Sequence, residues 1–309
     1  MRITTARAYD NVINSLQERQ RNLQTTQEQL TSGKRVNRAS DDPVAVARAE
    51  RSLDAITRAG AHQRALEAAR TATQLTESAL GDASELMQQS REAMMAAGNP
   101  TYTDGERASL VQSLKNLRNQ LLSVANRGDG TGSYLFGGQG STTPPFADGA
   151  GGVVYQGSAG DTMVASNESL STSLDGGHAW LDAPAAVSGD PPLSVFEVLD
   201  RTIAGLSVSG VTDPAVASAV HDGVRDLDAC MAHLGAVRSR AGEALNRMDG
   251  VEQRISGTKL AAQTERSNAE DLDMVQAISD FQNRQSGYDA ALKAYSMVQR
   301  MSLFNYIGG

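Results

Sequence analysis

The sequence predicts a mainly α-helical protein, in which both chain ends form long helices of the coiled-coil or bundle type and a small β domain is inserted in the middle. Three observations predict this class. Apolar residues recur every three and four positions near both ends. Aromatic residues make up only 4% of the chain, which is typical of long helices. Eleven of the 29 glycines lie between Gly137 and Gly189 and mark the insert.

The chain is predicted to fold back on itself as a nested hairpin. Residues 1–40 and 272–309 would form a terminal helical domain, residues 41–136 and 193–271 a long-helix bundle, and residues 137–192 a β-rich outer domain. A chain of 309 residues has room for two or three domains, at about 150 residues each.

The net charge of the chain is −8 and its pI is about 5.1, so no nucleic acid or membrane partner is predicted. The N-terminus has no continuous apolar run, and nothing later approaches the about 20 apolar residues of a membrane span. We therefore expect neither a membrane span nor export by the general secretory route. The single cysteine, Cys230, excludes an intramolecular disulfide.

The first helix is predicted from Thr5 to Gly33, where glycine ends it. Its apolar stripe follows a seven-residue spacing and consists of Val12, Leu16, Leu23 and Leu30, with Arg19 and Thr26 at intervening positions. A short helix with one apolar stripe is marginally stable alone in water. This helix is therefore expected to need a partner.

A second helix is predicted from Pro43 to the break at Gly98, about 80 Å long at ~1.5 Å per residue. Asp41 and Asp42 precede it and would cap its N-terminus, while Pro43 suits the first turn. A catalytic carboxylate pair is the alternative, but capping accounts for both acids. The seven-residue row in this helix is Leu66, Thr73, Leu80, Met87 and Met94.

A capping box of Thr103 and Glu106 predicts the start of a third helix, whose apolar face is Leu110, Leu114, Leu117, Leu121 and Val124. The helix runs into the glycine-rich segment 126–132. A phosphate loop would follow a strand and open a helix, and an EF-hand loop would end in glutamate. This segment does neither, so it is predicted to be a helix exit followed by an aromatic anchor at residues 133–138.

The insert is predicted to contain short strands at residues 153–155, 163–165 and 169–174, separated by Gly, Asp and Ser. Its only tryptophan, Trp180, is expected in the core. No catalytic, cofactor or metal site is predicted. Cys230 and His233 are too few for a metal site, and the other histidines are scattered.

After the insert, the chain is predicted to return to helices. A second capping box, Ser194 and Glu197, is followed by a long helix that opens at Asp213-Pro214. Its seven-residue rows are Val220, Leu227, Leu234, Ala241, Met248 and Ile255, and Gly223, Cys230, Val237, Ala244 and Val251. Cys230 is thus predicted to be a small core residue. The apolar frame changes over residues 258–271, which predicts a bend or a domain boundary.

The last helix is predicted over Leu272–Tyr306, with a seam that steps by three and four residues. The seam consists of Ile278, Phe281, Gln285, Tyr288, Leu292, Tyr295 and Gln299. Packing on the protein's own core is one interpretation of this seam. The other is pairing with the first helix in an oligomer, and we predict that the two stripes together form an assembly interface.

Two segments near the N-terminus resemble the signatures of the bacterial flagellin superfamily: residues 32–43, including Ser40-Asp41-Asp42-Pro43, and residues 125–138. Residues 1–5 and 302–307 resemble the hook-associated members more than the filament flagellins. The resemblance covers roughly residues 1–140 and 213–309 and does not include the centre.

This resemblance implies a structural subunit at the hook-filament junction, located outside the cell after export through the flagellar type III apparatus. The implied partners are further copies of the chain in a ring or helical array, hook-associated protein 1, flagellin and a flagellar export chaperone. The terminal helices would form the inner tube of the assembly and the insert would project outward. Folding of the terminal helices would be coupled to assembly, because neither stripe is stable alone.

Three alternatives remain at this stage. A filament flagellin is the first, from the same superfamily. The second is an enzyme or ligand-binding protein with its site in the insert, whose titratable residues Asp148, Asp161, Asp175, His178 and Asp182 are dispersed. The third is a helical signalling rod, which would generally carry a membrane anchor or receiver module.

Overall fold

The computed structural model describes residues 2–139, 142–149, 151–160, 163–165, 169–171, 173–185, 189–208 and 213–307. The predicted class is confirmed, because long helices flank a small β-rich middle. In chain order the elements are α1 (Arg2–Ser32), α2 (Pro43–Ala97), α3 (Asp104–Ala125), β1 (Phe146–Gly149), β2 (Gly152–Tyr155), β3 (Met163–Ala165), β4 (Ser169–Ser171), α4 (Gly176–Leu181), α5 (Val195–Leu206), α6 (Asp213–Glu270) and α7 (Met274–Ile307).

Of the two acids before helix α2, Asp42 caps the helix as predicted, whereas Asp41 bonds the backbone of the preceding loop instead. The Asp42 carboxylate accepts hydrogen bonds from the N–H groups of Val44 (3.2 Å) and Ala45 (3.0 Å). The hydrogen bond from Ala45 lowers the pKa of Asp42. The Asp41 carboxylate accepts bonds from the N–H groups of Asn37 and Arg38 at 3.1 and 2.9 Å. Both carboxylates therefore stabilise local backbone.

The predicted capping box of helix α3 is present. Thr103 Oγ1 accepts a bond from Glu106 N–H at 3.3 Å, and the Glu106 carboxylate accepts one from Thr103 N–H at 2.8 Å. This backbone bond lowers the pKa of Glu106. At helix α5 the Ser194 hydroxyl accepts a bond from Glu197 N–H at 3.4 Å, which is one half of the second predicted box.

Over the polar stretch 258–270, where the sequence predicted a bend or a domain boundary, helix α6 continues without interruption to Glu270. Lys, Gln, Glu, Arg and Ala are good helix formers and are frequent in this stretch, so a change in apolar frame does not itself end the helix. The interruption lies at residues 271–273, where the Asp273 carboxylate accepts bonds from Val275 and Gln276 N–H at 3.0 and 3.1 Å and caps α7.

The chain divides into two compact units, Met1–Gly60 with Ser256–Gly309 and Ala61–Ile255. The domain boundaries given by the sequence stay a prediction. In the second unit, one continuous core joins helices α2, α3, α5 and α6 to the insert. The predicted row of α2 lies in the interior, as do Cys230 and most of the α6 row: Leu66, Thr73, Leu80, Met87, Met94, Leu227, Leu234, Ala241 and Met248.

Helices α5 and α6 approach closely at Gly223, which the sequence places on an inner row of α6. A Cβ atom there would overlap the Thr202 hydroxyl. The Thr202 hydroxyl itself donates to the Val198 carbonyl at 2.8 Å. A glycine at this crossing lets the two backbones pack without a gap.

Among its described residues, the insert contains two antiparallel hairpins, β1-β2 and β3-β4, in separate two-stranded sheets, followed by the short helix α4. Neither β1 nor α4 was predicted. The main chains of Ala183 and Leu193 exchange two hydrogen bonds, at 3.0 and 2.7 Å, and close the segment between them. Trp180 is fully buried, as predicted, and its ring stacks on Phe196 with centroids 5.9 Å apart.

Strand β1 is held to the helices by polar contacts that the sequence did not reveal. The Asn126 side chain donates to the Phe146 carbonyl and accepts from the Phe146 N–H, both at 2.9 Å. The largely buried Arg118 guanidinium bonds both Asp148 and Asp200. These contacts raise the pKa of Arg118. Helix α3 and its C-cap residue thus anchor the first hairpin by two side chains.

Candidate assembly interface

The first unit is organised by the antiparallel packing of helices α1 and α7. Helix α1 ends at Ser32 and is followed by Gly33, whose φ of 70° lies in the left-handed region. Immediately beyond it, Lys34 faces Asp271 in an antiparallel bridge. Arg35 N–H donates to the Glu270 carbonyl at 2.7 Å, and Leu272 N–H donates to the Gly33 carbonyl at 3.0 Å. The two inter-helix turns are therefore joined through their backbones.

Side chains reinforce this bridge. Arg35 Nη2 donates to the Ala269 carbonyl at 2.8 Å. Glu270, which is partly buried, pairs with Lys34 at 3.2 Å and with Arg266 at 2.8 Å. We call residues 33–35 and 269–272 the root clasp, because they lie at the start of the α1-α7 pair.

Further along the pair, helix α7 reaches helix α1 through Arg284. Its Nη1 donates to Thr26 Oγ1 at 2.8 Å and to the Asn22 carbonyl at 3.1 Å. Thr26 is only 3% exposed. A Cβ atom at Gly287 would lie 3.1 Å from the Arg19 guanidinium. Polar and small residues thus occupy part of this contact.

On helix α1, Leu16, Leu23 and Leu30 of the predicted stripe are partly buried, whereas Val12 is exposed. Partial burial is typical of a helix covered on one side by a single neighbour. The position of this stripe is compatible with the predicted pairing to α7, and its role in assembly stays a prediction.

On helix α7 the predicted seam divides into two rows. Phe281, Tyr288 and Tyr295 are partly buried, as is Ala291, and Ala277 beside them is buried. Ile278 is 46% and Leu292 41% exposed, and Gln285 is also exposed. Gln299 belongs to α7, but its side chain lies outside the described part of the structure. The exposed row, which we call the outer row, consists of Ile278, Gln285 and Leu292.

The structure also shows exposed apolar residues that were missing from the predicted interface. Ile13 follows Val12 on α1, Met274 and Val275 open α7, and Met297 lies near its end. Val275 is 82% exposed. Adjacent apolar pairs such as Val12-Ile13 and Met274-Val275 were the available signal, because successive residues point about 100° apart and one helix partner cannot cover both.

The described titratable residues of the insert make structural contacts. Asp148 pairs with Arg118, and the Asp175 carboxylate caps α4 by accepting a bond from His178 N–H at 3.3 Å. His178 Nδ1 lies 3.2 Å from the Asp182 carboxylate. Asp161 lies outside the described residues. Among the residues that are described, no three His, Cys, Asp or Glu side chains form a metal-binding group.

The Cys230 thiol and the glycine-rich segment, which were also considered as reactive or ligand-binding groups, have structural roles as well. Burial raises the pKa of the Cys230 thiol to about 12, which disfavours the reactive thiolate. In the glycine-rich segment, the Asp129 carboxylate accepts bonds from Thr131 N–H (2.8 Å) and Ser133 N–H (3.1 Å) and closes the loop. Within the described ranges, none of the helices has both the length and the apolar character that a membrane crossing requires.

Comparison with known proteins gives matches at both chain ends. The family described as bacterial flagellin N-terminal helical region matches residues 3–141, and the bacterial flagellin C-terminal helical region matches residues 220–307. The chain is 30% identical to flagellar hook-associated protein 3 of Salmonella typhimurium, over 98% of this chain and 99% of that protein. Its identity to flagellar hook-associated protein 3 of Escherichia coli is 29%, with the same shares covered.

A solved structure supports the fold. The crystal structure of flagellar hook-associated protein 3 from Legionella pneumophila matches with a TM-score of 0.64 and 18% identity, and covers 70% of this chain and 97% of that chain. At this level of identity the likeness concerns the architecture alone.

Proposed function

The chain belongs to the bacterial flagellin family, and we propose that it is a structural subunit of the flagellar hook-filament junction that assembles through its terminal helices. The observation that carries the proposal is the match to hook-associated protein 3, which extends over 98% of the chain and includes both ends. As a flagellar component, the protein is part of the external flagellum.

The α1-α7 pair supplies the interface in this proposal. Its partly buried stripes hold the two ends of one chain together, and the outer row with Val12, Met274 and Val275 remains uncovered. Removing apolar surface from water contributes about 25 cal/mol per Å², so contact with neighbouring subunits would stabilise the pair. Burial of this surface is the physical basis for coupling its folding to assembly.

The proposed neighbours are further copies of the chain, hook-associated protein 1 on the hook side and flagellin on the filament side. Copies in one ring or helical array would meet by head-to-tail contacts. Before assembly, the polar positions Arg19, Gln285 and Gln299 would keep the pair soluble. We also propose that an export chaperone covers the terminal helices and that the chain leaves through the flagellar type III apparatus.

Complementation of a strain that lacks its own junction protein tests this function. Such a strain should carry hooks without filaments and release flagellin monomers into the medium. The wild-type chain should restore filaments, and Ile278→Asp with Leu292→Asp should not, because both charges would face a subunit contact. Ser286→Asp, on an exposed and different face of α7, is the matched control.

Two outcomes contradict the proposal: no rescue by the wild-type chain, or full rescue by the double variant at normal protein level. Filament flagellin is the alternative function. A filament flagellin would polymerise alone into long filaments, which electron microscopy of the purified chain detects directly.

A further inference from the structure

The second unit contains a cavity between the insert and the long helices α2 and α6. Its volume is about 150 Å³, and a protein cavity of about this size admits a benzene-sized molecule. Residues 173–175, 178 and 179 of the insert line it, together with Thr73 and Thr76 of α2 and part of α6. The cavity therefore has room for a small organic molecule of roughly five to eight non-hydrogen atoms.

Much of the cavity lining is apolar. Three of the apolar lining residues are alanines, whose short side chains leave the space between the elements open. The apolar lining consists of Leu174, Ala179, Val237, Ala241 and Ala244. Such a lining favours a ligand with a short aliphatic group, because that group leaves water on binding.

The cavity also has a cationic lining residue, Arg240 of α6. Arg240 is exposed and, within the described part of the chain, takes part in no ion pair. Its neighbour Arg238 differs, because it pairs with Glu77 at 2.6 Å. A guanidinium binds a carboxylate through two parallel hydrogen bonds. Arg240 is thus available to bind the carboxylate of a ligand.

Three further lining groups accept hydrogen bonds. The hydroxyls of Thr73 and Thr76 donate to the carbonyls of Ala69 and Ala72 at 2.8 and 2.9 Å, so their oxygens can only accept from a ligand. The Asp175 carboxylate, which caps α4, is also an acceptor when ionised. Three acceptors, one of them negatively charged, match the three donors of an ammonium group.

We propose that this cavity binds a small aliphatic α-amino acid, such as alanine or valine, as the zwitterion. The ligand's carboxylate pairs with Arg240, its ammonium donates to Asp175 and the two threonines, and its side chain lies against the alanines. A simple carboxylate would place no donor against the three acceptors, and a simple amine would leave Arg240 unpaired. The bound amino acid joins the insert to α2 and α6. This site is additional to the proposed junction role and does not depend on it.

Saturation-transfer difference NMR of the purified full-length chain, titrated with L-valine, tests the binding. Two analogues test its chemistry, since isovalerate lacks the ammonium group and isobutylamine lacks the carboxylate. Each should bind at least about tenfold more weakly than L-valine, because charged hydrogen bonds are lost. L-Valine should also raise the midpoint of thermal unfolding by about 2–4 °C at a tenfold excess over its Kd.

Variants of the lining locate the site. Arg240→Gln should weaken the binding of L-valine at least about tenfold and leave that of isobutylamine unchanged. Arg247→Gln, which lies seven residues further along α6 and is also exposed, is the matched control and should change neither. Thr76→Val should weaken the binding of L-valine but not that of isovalerate. Ala244→Leu should abolish the binding of all three compounds, because the larger side chain fills the cavity.

Thermal unfolding without ligand shows whether each variant is folded. The absence of saturable L-valine binding up to about 10 mM would overturn the proposal. Equal affinities for L-valine and isovalerate would also overturn it, because the site would then be an apolar cavity without amino-acid recognition. Unchanged L-valine binding in both Arg240→Gln and Ala244→Leu would contradict the assignment to this cavity.

Discussion

Helices α1 and α2 both carry an apolar row with seven-residue spacing, but the rows have different environments. In the second unit, Leu80 and Met87 of α2 are buried in the core formed with α6, α3 and the insert, and Leu66 is buried in a cluster with Met248 and Val251 of α6. In the first unit, Leu16, Leu23 and Leu30 of α1 are only partly covered. The same spacing thus occurs in a fully buried core in the second unit and in a partly exposed helix contact in the first. Periodicity indicates that a helix packs its apolar row against a partner. How much of that row is buried depends on how many neighbouring elements cover it.

The largest expected effect tests whether the insert forms part of the hydrophobic core of the second unit. Trp180→Ala should reduce the free energy of unfolding by about 3–5 kcal/mol. The fully buried indole packs against Phe136, Phe146 and Phe196, and its removal would leave a cavity among them. Urea unfolding followed by circular dichroism measures it. A loss below about 1 kcal/mol would mean that the insert does not share the core.

Two leucines in equivalent rows make the comparison directly. Leu80→Ala should lower stability by about 2–5 kcal/mol, because Leu80 is 0% exposed. Leu23→Ala should lower it by less, at most about 2 kcal/mol, since a partly buried side chain loses less apolar burial than a fully buried one. Thermal unfolding of both variants gives the difference. Equal losses would contradict the distinction between the two units.

An ion-pair variant separates the insert's polar anchoring from its apolar packing. Arg118→Met should destabilise the chain by about 1–2 kcal/mol near neutral pH, through the loss of hydrogen bonds to Asp148 and Asp200, which remain partly hydrated. The hydrogen bond from Arg118 lowers the pKa of Asp148 below its ordinary value. The stabilisation is therefore present above the ordinary aspartate pKa and is lost as the pH falls through the lowered value.

Unfolding curves between pH 2 and 7 should consequently converge for the wild type and Arg118→Met at the acid end. Asp104→Asn, at an exposed acid that pairs with a different arginine at 3.3 Å, controls for general acid effects. A constant difference across this range would assign the stabilisation to packing of the Arg118 side chain.

The smallest stability effect is expected on the outer row. Ile278→Ser should change the unfolding free energy by less than about 0.5 kcal/mol, since the side chain is already exposed and surface substitutions are usually this small. The same variant should weaken assembly in the complementation assay. A large loss of monomer stability would indicate that Ile278 packs within the subunit instead.

The sequence predicted the helices well because their apolar spacing and caps are local properties. It predicted the α1 and α7 stripes but could not tell which α7 seam residues would be buried. Ile278 and Phe281 both fit the seam spacing, and they differ only in whether α1 covers them. It missed helix α4, whose two opening glycines disfavour a helix. There, the Asp175 cap and the burial of Trp180 override local propensity. Strand β1 was missed because the Asn126 and Arg118 contacts that hold it are distant in sequence.

The paired main chains of Ala183 and Leu193 have a practical consequence. Because two reciprocal hydrogen bonds hold the ends of this segment, its length is nearly free to vary: doubling a flexible loop adds only about 0.6 kcal/mol of closure entropy. A short peptide epitope placed after Ala185 would leave the bridge and the core behind it intact. The position therefore offers a place to tag the protein and observe it in an intact flagellum.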